Sequence, residues 1–502
     1  MNLLFTILLL CSFRSSFSAT VKTYGWKLNH IITPYALDYS NSEPLQGTIH
    51  SSGFQLALSH DGTTLAIASK LQQGDTTSGG IVQIFTSIAI HDAVEWVLSH
   101  TINVSTFGDW YGSKLLALNN DGTILAIGSR LHSNNKGSVQ ILELINNSWK
   151  LKGEPLYGEQ EGSVGEHFGA SVDISLDGNT LIVGSPFYNF DLIPGVLDSS
   201  EQVGKVTIFQ YDTILEEWEV DTVLYGESES DEFGTSVALA GDARLAVVGA
   251  QKNNVDQTKF NGGHVRVYAY DQVLGWSRLG SDINGEQALD FFGSNVVMAK
   301  EIPGSNIYNR IAASAGGNDG TTEDPSFFEN IGHTRAFDYN TDANEWLLTG
   351  QDIEGERKND QSGDSLAMDK YGTRIAIGAI ENDDAHSQAG HVRVYELSSD
   401  GSTWNKIGKD IDGEQSRSYL GSSVAMDASG EMLVVSAPGM DIATGLDASD
   451  RQDDAGIIYI YKLNIEEVEV EEETTNGASN CNSGIRMMSI VLTVAAMLLS
   501  VV

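Results

Sequence analysis

The chain has 502 residues, with 29 Lys and Arg against 68 Asp and Glu, a formal net charge of −39, and only 8 Pro and 2 Cys. Such acidity excludes a general nucleic-acid binder, because phosphates need a basic surface, and two cysteines exclude a disulfide scaffold or a cysteine-based zinc site. Gly and Pro together stand at average abundance, so collagen-like and low-complexity chains are excluded as well, and 41% hydrophobic residues supply material for a core.

The chain begins with a short apolar run, residues 3–10, followed by Ser16-Phe17-Ser18, a small-x-small cleavage pattern. A run this short cannot cross a bilayer and reads as a secretory signal peptide over residues 1–18. No Lys or Arg precedes it, unlike the usual pattern.

From residue 19 to 464 one unit recurs seven times. Its first marker is a Gly followed by alternating apolar residues, at Gly53, Gly112, Gly169, Gly234, Gly293, Gly363 and Gly421. A short apolar run ending in two small residues follows, as in Leu181-Ile182-Val183-Gly184-Ser185. The third marker is Gly-x-Val-x-apolar-aromatic, as in Gly263-His264-Val265-Arg266-Val267-Tyr268, and the fourth is a Trp. Period-two alternation predicts half-buried strands for the first and third, and the continuous run predicts a strand covered on both faces. Turns such as His60-Asp61-Gly62-Thr63 join the first two. Four antiparallel strands recurring about every 55–70 residues describe a propeller blade.

The tryptophans set the count. Trp96, Trp149, Trp218, Trp276, Trp346 and Trp404 each open a fourth strand, but the seventh copy ends without one. The missing Trp stands at the other end of the chain, in Trp26-Lys27-Leu28, so an N-terminal strand is expected to complete the last blade and close the ring. The fold class expected is therefore all-β, a seven-bladed propeller of four-stranded blades. Two copies depart from the pattern: the second has one extra residue between Gly112 and Asp121, and the fifth has residues 300–310 where the others have a tight turn.

Beyond the propeller, residues 465–478 read as an acidic stalk kept extended by like-charge repulsion, with residues 466–473 nearly all Glu. Asn476-Gly477-Ala478, a polar spacer and an apolar tail then follow the order of a GPI-attachment signal over residues 479–502, with Asn476 as the attachment residue. The rival is a single membrane helix, for which the tail is short against the ~20 residues needed. Cys11 and Cys481 fall in the two processed segments, so stability is left to packing.

Phe168-Gly169, Phe233-Gly234 and Phe292-Gly293 open blades, and Gly184-Ser185-Pro186, Gly249-Ala250 and Ser436-Ala437-Pro438 close second strands. In these motifs and their spacing the chain resembles the FG-GAP repeats of integrin α-chain propellers. The resemblance implies extracellular recognition and adhesion, not catalysis. It also implies calcium held in the hairpins between first and second strands, but these hairpins are too short to offer the 6–8 oxygens calcium takes.

Several candidate sites follow. His264, His333 and His391 begin third strands with Arg two residues later, a repetition that reads as blade-to-blade pairing. Five Gly-Glu pairs, at 158–159, 226–227, 285–286, 355–356 and 413–414, read as a blade-forming turn. The loops between second and third strands of blades five to seven are rich in acids, among them Asp319, Glu323, Asp324, Glu381, Asp383 and Asp384. In the loop at 438–455, Asp441, Asp447, Asp450, Asp453 and Asp454 are the candidate metal ligands, with calcium as the possible ion, against the plain reading that these acids keep a long loop solvated. The loop at 186–203 is the next candidate surface, with exposed-looking Phe187, Tyr188 and Phe190. Asn103 and Asn146 are the N-glycosylation sequons.

The expected function is a cell-surface recognition or adhesion module on the secretory route. It is anchored by lipid or a short C-terminal helix and binds an extracellular protein or glycan through long acidic loops. Other readings are a propeller-fold glycan hydrolase or lyase, which needs non-repeating polar residues converging on the channel, and a structural cell-wall or coat protein.

Overall fold

The computed structural model describes residues 18–33, 48–73, 76–90, 93–104, 114–160, 165–189, 202–301, 310–320, 330–443, 451–452 and 454–471. Residues 1–17 of the expected signal peptide, Asp447, Asp450, Asp453, Asn476, the C-terminal tail, Phe190, Glu323 and Asp324 lie outside them. Among the described residues no helix is long and apolar enough to cross a membrane. The chain divides into two compact units, residues 24–464 and a second made of residues 1–23 and 465–502.

Residues 24–464 are the propeller. Blade one holds Thr48–Leu58, Thr64–Gln73, Thr76–Ile90 and Ala93–Val104, each paired with the next. Blades two to six repeat this meander, for example Phe233–Leu239, Leu245–Ala250, His264–Asp271 and Gly275–Arg278 in blade four. Blade seven contains Val424–Met426, Met432–Ala437 and Ile457–Glu471, and its outermost strand is Ser18–Ile32. The N-terminal strand thus closes the ring, and Trp26 packs against the cluster formed by blades six and seven. The last strand runs past 464 to Glu471, into the acidic run that the sequence assigns to a stalk.

The burial pattern explains the three kinds of strand. Second strands such as Ile124–Ser129 and Thr180–Ser185 are buried at every residue, as expected when both faces meet neighbouring blades. The core is accordingly distributed among interfaces. Among the described residues seven apolar clusters occur, each shared by two adjacent blades. The cluster joining blades seven and one contains Val434, Ile458, Leu65, Trp96 and Ile32 of the closing strand.

Close approach of backbones dictates the small residues that end second strands. A Cβ on Gly249 would lie 2.0 Å from the carbonyl oxygen of Gly293 in the next blade, and one on Gly184 would lie 2.1 Å from that of Gly234. Gly293 and Gly234 themselves have φ of +89° and +91°, a region closed to most side chains.

The hairpins between first and second strands meet around the axis. Asp61 N–H donates to Asn120 O (3.0 Å), Asn120 to Leu176 (3.1 Å), Leu176 to Gly241 (2.9 Å) and Gly241 to Lys300 (3.1 Å). Glu301 then donates to Lys370 (2.9 Å), Lys370 to Ala428 (3.2 Å) and Ala428 back to His60 (2.8 Å). Each blade donates one backbone bond to the next, and the chain of bonds closes on itself. Local sequence sets these turns: Ser59, Asn119, Ser175, Asp369 and Asp427 each accept backbone N–H groups of their own hairpin. The fifth blade keeps its place in the ring through Lys300 and Glu301 despite its longer connection.

Candidate functional site: the central channel

The two ends of the channel differ. At the ring of turns the axis is crossed by side chains: His60 Nε2 of blade one lies 3.3 Å from Glu301 Oε1 of blade five, which also meets Lys370 Nζ at 3.3 Å. Burial lowers the His60 pKa, partly offset by Glu301. One layer further in, Asp173 sits in an inner strand where the other copies carry Ala57, Ala117, Ala238, Val297, Ala367 and Ala425. Its carboxylate binds Lys300 Nζ at 2.6 Å and Lys114 Nζ at 3.3 Å, and accepts the Leu239 N–H at 2.9 Å. Burial pushes the Asp173 carboxyl up, but Lys114, Lys300 and the Leu239 bond outweigh it and hold it at about 2. This end is closed by packing and paired charge.

The other end opens into a cavity of about 700 Å³ lined by residues from all seven blades. The residue after six of the seven repeat glycines lines it: Phe54, Ala170, Thr235, Ser294, Asp364 and Ser422. Asp364 is the ionisable member of this set. Its Oδ2 is buried without a hydrogen-bond partner, and burial, with the nearby Glu381, pushes its carboxyl up to about 7. Asn295 Nδ2 fixes the backbone here, donating to Gly363 O and Asp364 O at 3.0 Å each. Among the described residues a Cβ on Gly316 of blade five would meet Asp364 Oδ1 alone, at 3.9 Å. Glu381 also lines the cavity, its Oε2 accepting from Gln388 Nε2 at 2.7 Å.

Arg130 lines the cavity from blade two and Glu232 from blade four. Glu232 is neutralised by Lys252 at 2.7 Å and bound by Gln251 Nε2 at 2.8 Å. His167 packs edge-on against Phe187 at 4.6 Å, and burial, then Arg130, pushes it down to about 4, so it is neutral at physiological pH.

The repeated histidines occupy blade junctions. His264, His333 and His391 each stand with one Glu and one Asp, their ligand atoms within 4.8 Å of one another. The positive charge at these places is already present as arginine. Arg266 binds Glu227 of the preceding turn and Asp282, Arg335 binds Glu286 at 3.1 Å, and Arg393 binds Glu356 at 3.2 Å. Burial and the adjacent arginine hold the three imidazoles at about 4, 3 and 4. The arginines make the pairing with the recurring Gly-Glu turns, whereas among the described residues His264 Nε2, His333 Nε2 and both ring nitrogens of His391 are buried without a hydrogen-bond partner. Sequence reading missed the groups that shape those turns. Asp231, Asp290 and Asp360 accept backbone N–H groups of the turn and the side-chain amides of Asn253, Asn318 and Asn382. The signal was an Asp five residues after the glycine in three of the five Gly-Glu pairs, those at 226, 285 and 355.

The acidic sector is less exposed in charge than its composition suggests. Asp384 pairs with Arg357 at 2.5 Å, Asp383 accepts Gln388 N–H at 2.6 Å, and Asp319 accepts Asn330 N–H at 3.0 Å. Of the candidate calcium ligands, Asp441 and Asp454 are adjacent, the Asp454 N–H donating to Asp441 Oδ1 at 3.0 Å. Phe187 and Tyr188 of the 186–203 loop are half-buried, contrary to expectation. Phe187 meets His167 edge-on, and Tyr188 meets Tyr225 and lies with its ring centroid 4.2 Å from Lys205 Nζ. Asn103 and Asn146 are exposed, the latter in a turn at φ +49°.

No protein-family model and no curated protein matches the chain. Solved structures do match. The WD40 repeats of RRP9 share 13% identity over 88% of this chain and 100% of that one, with a TM-score of 0.45. The β-propeller domain of Myceliophteria thermophila Cps50 (Swd1) shares 9% over 87% and 99%, with a TM-score of 0.45. Kuenenia stuttgartiensis hydrazine synthase shares 13% over 86% and 99%, with a TM-score of 0.43. These likenesses go no further than the propeller fold that the seven sheets establish.

Proposed function

We propose that the chain is a non-catalytic recognition module that binds a protein or glycan partner at the open end of its channel. The observation that carries this reading is the difference between the two ends. A closed ring of hairpins and paired side chains occupies one end, whereas the other presents a cavity whose residues depart from the repeat. Rigid scaffolds usually bind through such irregular loops and mouths. The leader, the tail and the likeness to FG-GAP propellers support an extracellular, membrane-anchored setting for adhesion.

Glycan arrays and pull-downs from cell-surface extracts test the reading. Ser422→Arg places a long cation in the cavity, and Ser429→Arg alters an exposed turn at the sealed end. Loss of binding in the first and retention in the second is the expected result, and equal binding by both sinks it. Asp364 beside Glu381 favours a second reading, a glycan hydrolase or lyase, because a carboxyl at about 7 near a second carboxylate suits acid–base work. Turnover of glycans by the wild-type chain, abolished in Asp364→Asn, would decide for it.

A further inference from the structure

We propose that the hairpin tips joining third and fourth strands in blades three and four form a docking surface for a basic amphipathic helix of a partner protein, separate from the open mouth of the channel. Blade three turns through Asp212-Thr213-Ile214-Leu215-Glu216 and blade four through Asp271-Gln272-Val273-Leu274-Gly275. At these tips Ile214 is 88% exposed, Leu215 59%, Val273 90% and Leu274 80%. Single apolar residues on a surface are ordinary, but large aliphatic pairs repeated on neighbouring blades mark an interaction site.

The turns do not call for these side chains. Asp212 Oδ1 accepts the Ile214 and Leu215 N–H groups at 2.7 and 2.9 Å, and Asp271 Oδ1 accepts those of Val273 and Leu274 at 2.8 and 2.9 Å. Blade five builds its turn in the same way on Asn340, whose Oδ1 accepts the Ala343 N–H at 2.9 Å, and carries Thr341-Asp342-Ala343 at the tip. The aliphatic pairs are therefore additional to the fold. They stand on backbone that is already fixed, which lowers the ordering cost of binding. Each hairpin is also tied to the turn between first and second strands of its own blade, Tyr211 N–H donating to Asn179 O at 2.8 Å and Tyr270 N–H to Arg244 O at 2.9 Å. Trp276 Nε1–H of blade four donates to Asp221 Oδ2 of blade three at 2.7 Å, which links the two outer strands.

Charge selects the occupant. Exposed Glu216, Glu217 and Glu219 follow the tip of blade three, and no Lys or Arg occurs between residues 206 and 243. On blade four the exposed Arg278 and Arg244 are engaged by Asp282 at 2.6 Å and Asp242 at 3.8 Å. Such a rim repels anionic lipid headgroups, and it repels a second copy of a chain whose net charge is −39. A helix with a leucine stripe flanked by Lys or Arg sets apolar residues on the tips and cations beside the glutamates.

Fluorescence anisotropy of a labelled helical Leu/Lys peptide titrated with the full chain tests the surface. The same peptide with Glu for Lys, and a Leu/Lys peptide scrambled out of helical period, are run in parallel. Saturable binding of the first peptide, roughly tenfold tighter than either control, is the expected result. Joint Ile214→Ser, Leu215→Ser, Val273→Ser and Leu274→Ser should weaken it by about tenfold or more with circular dichroism unchanged. Glu216→Gln with Glu217→Gln should weaken it less and flatten its salt dependence. No saturable binding, binding undiminished in the fourfold variant, or binding lost in Ser422→Arg overturns the proposal. Sedimentation with phosphatidylcholine vesicles, or self-association, that the fourfold variant abolishes assigns the tips to lipid or to a second copy and overturns it equally.

Discussion

Asp173 stands in an inner strand of one blade and Asp364 just ahead of the inner strand of another, and the two titrate in opposite directions. Asp173 is ionised between two lysines, and its pKa is depressed to about 2. Its stabilising contribution is fully present above the unfolded carboxylate range near 4 and is lost as pH falls from about 4 through 2. Asp173→Asn should cost about 3–5 kcal/mol in denaturant melts at neutral pH, because two ammonium groups lose their shared counter-charge. The penalty should shrink in melts near pH 3. Asp364 is raised to about 7. The native state then holds a proton that the unfolded chain has released, so stability falls as pH rises from about 4 to 7. Asp364→Asn should therefore raise the thermal midpoint at pH 7.5 and leave it nearly unchanged at pH 4. A drop at pH 7.5 would contradict the burial argument.

Between blades, the element that repeats is a tryptophan seated on a glycine. Trp218, Trp346 and Trp404 donate their Nε1–H to Lys152, Leu279 and Thr349 carbonyls, at 2.8, 3.0 and 2.9 Å. The next residue each time is a glycine of the preceding blade, and a Cβ on Gly350 would meet Trp404 Cδ1 at 2.7 Å, at φ +72°. Gly350→Ala should cost about 1–3 kcal/mol by overpacking and backbone strain. Trp404→Ala, at a site only 3% exposed, should cost about 3–5 kcal/mol. Equal melts of either variant and wild type would show that this contact does not hold the blades. The tryptophans were legible in the sequence because they recur at one place per copy. The glycines beneath them were not, since a Gly after a short strand looks like an ordinary turn until the neighbouring blade is laid against it.

At the scale of the molecule, the sevenfold count and the closing strand were readable from periodicity and from Trp26 alone. The channel chemistry was not. Lys300 belongs to blade five and Asp173 to blade three, and only the closed ring brings their charges within 2.6 Å. Asp364 likewise sits just ahead of an ordinary short strand, Ser365–Met368. Setting the seven copies in register shows it as the odd residue of its column, but the burial of its Oδ2 needs the folded wall. Removing residues 18–32 should strip the outer strand from blade seven and expose the backbone edge of Ile457–Glu471. The truncated chain should then self-associate in analytical ultracentrifugation and melt lower. A monomer of unchanged midpoint would refute closure by this strand.

The bonded hairpins at one end of the axis also bear on time. A well with a single door exchanges its occupants one at a time, because an incoming molecule cannot push from behind. Replacement of whatever the mouth holds should proceed at the rate of spontaneous departure, however concentrated the competitor. A sealed floor thus turns dwell time, rather than crowding, into the quantity that sets how long an encounter lasts.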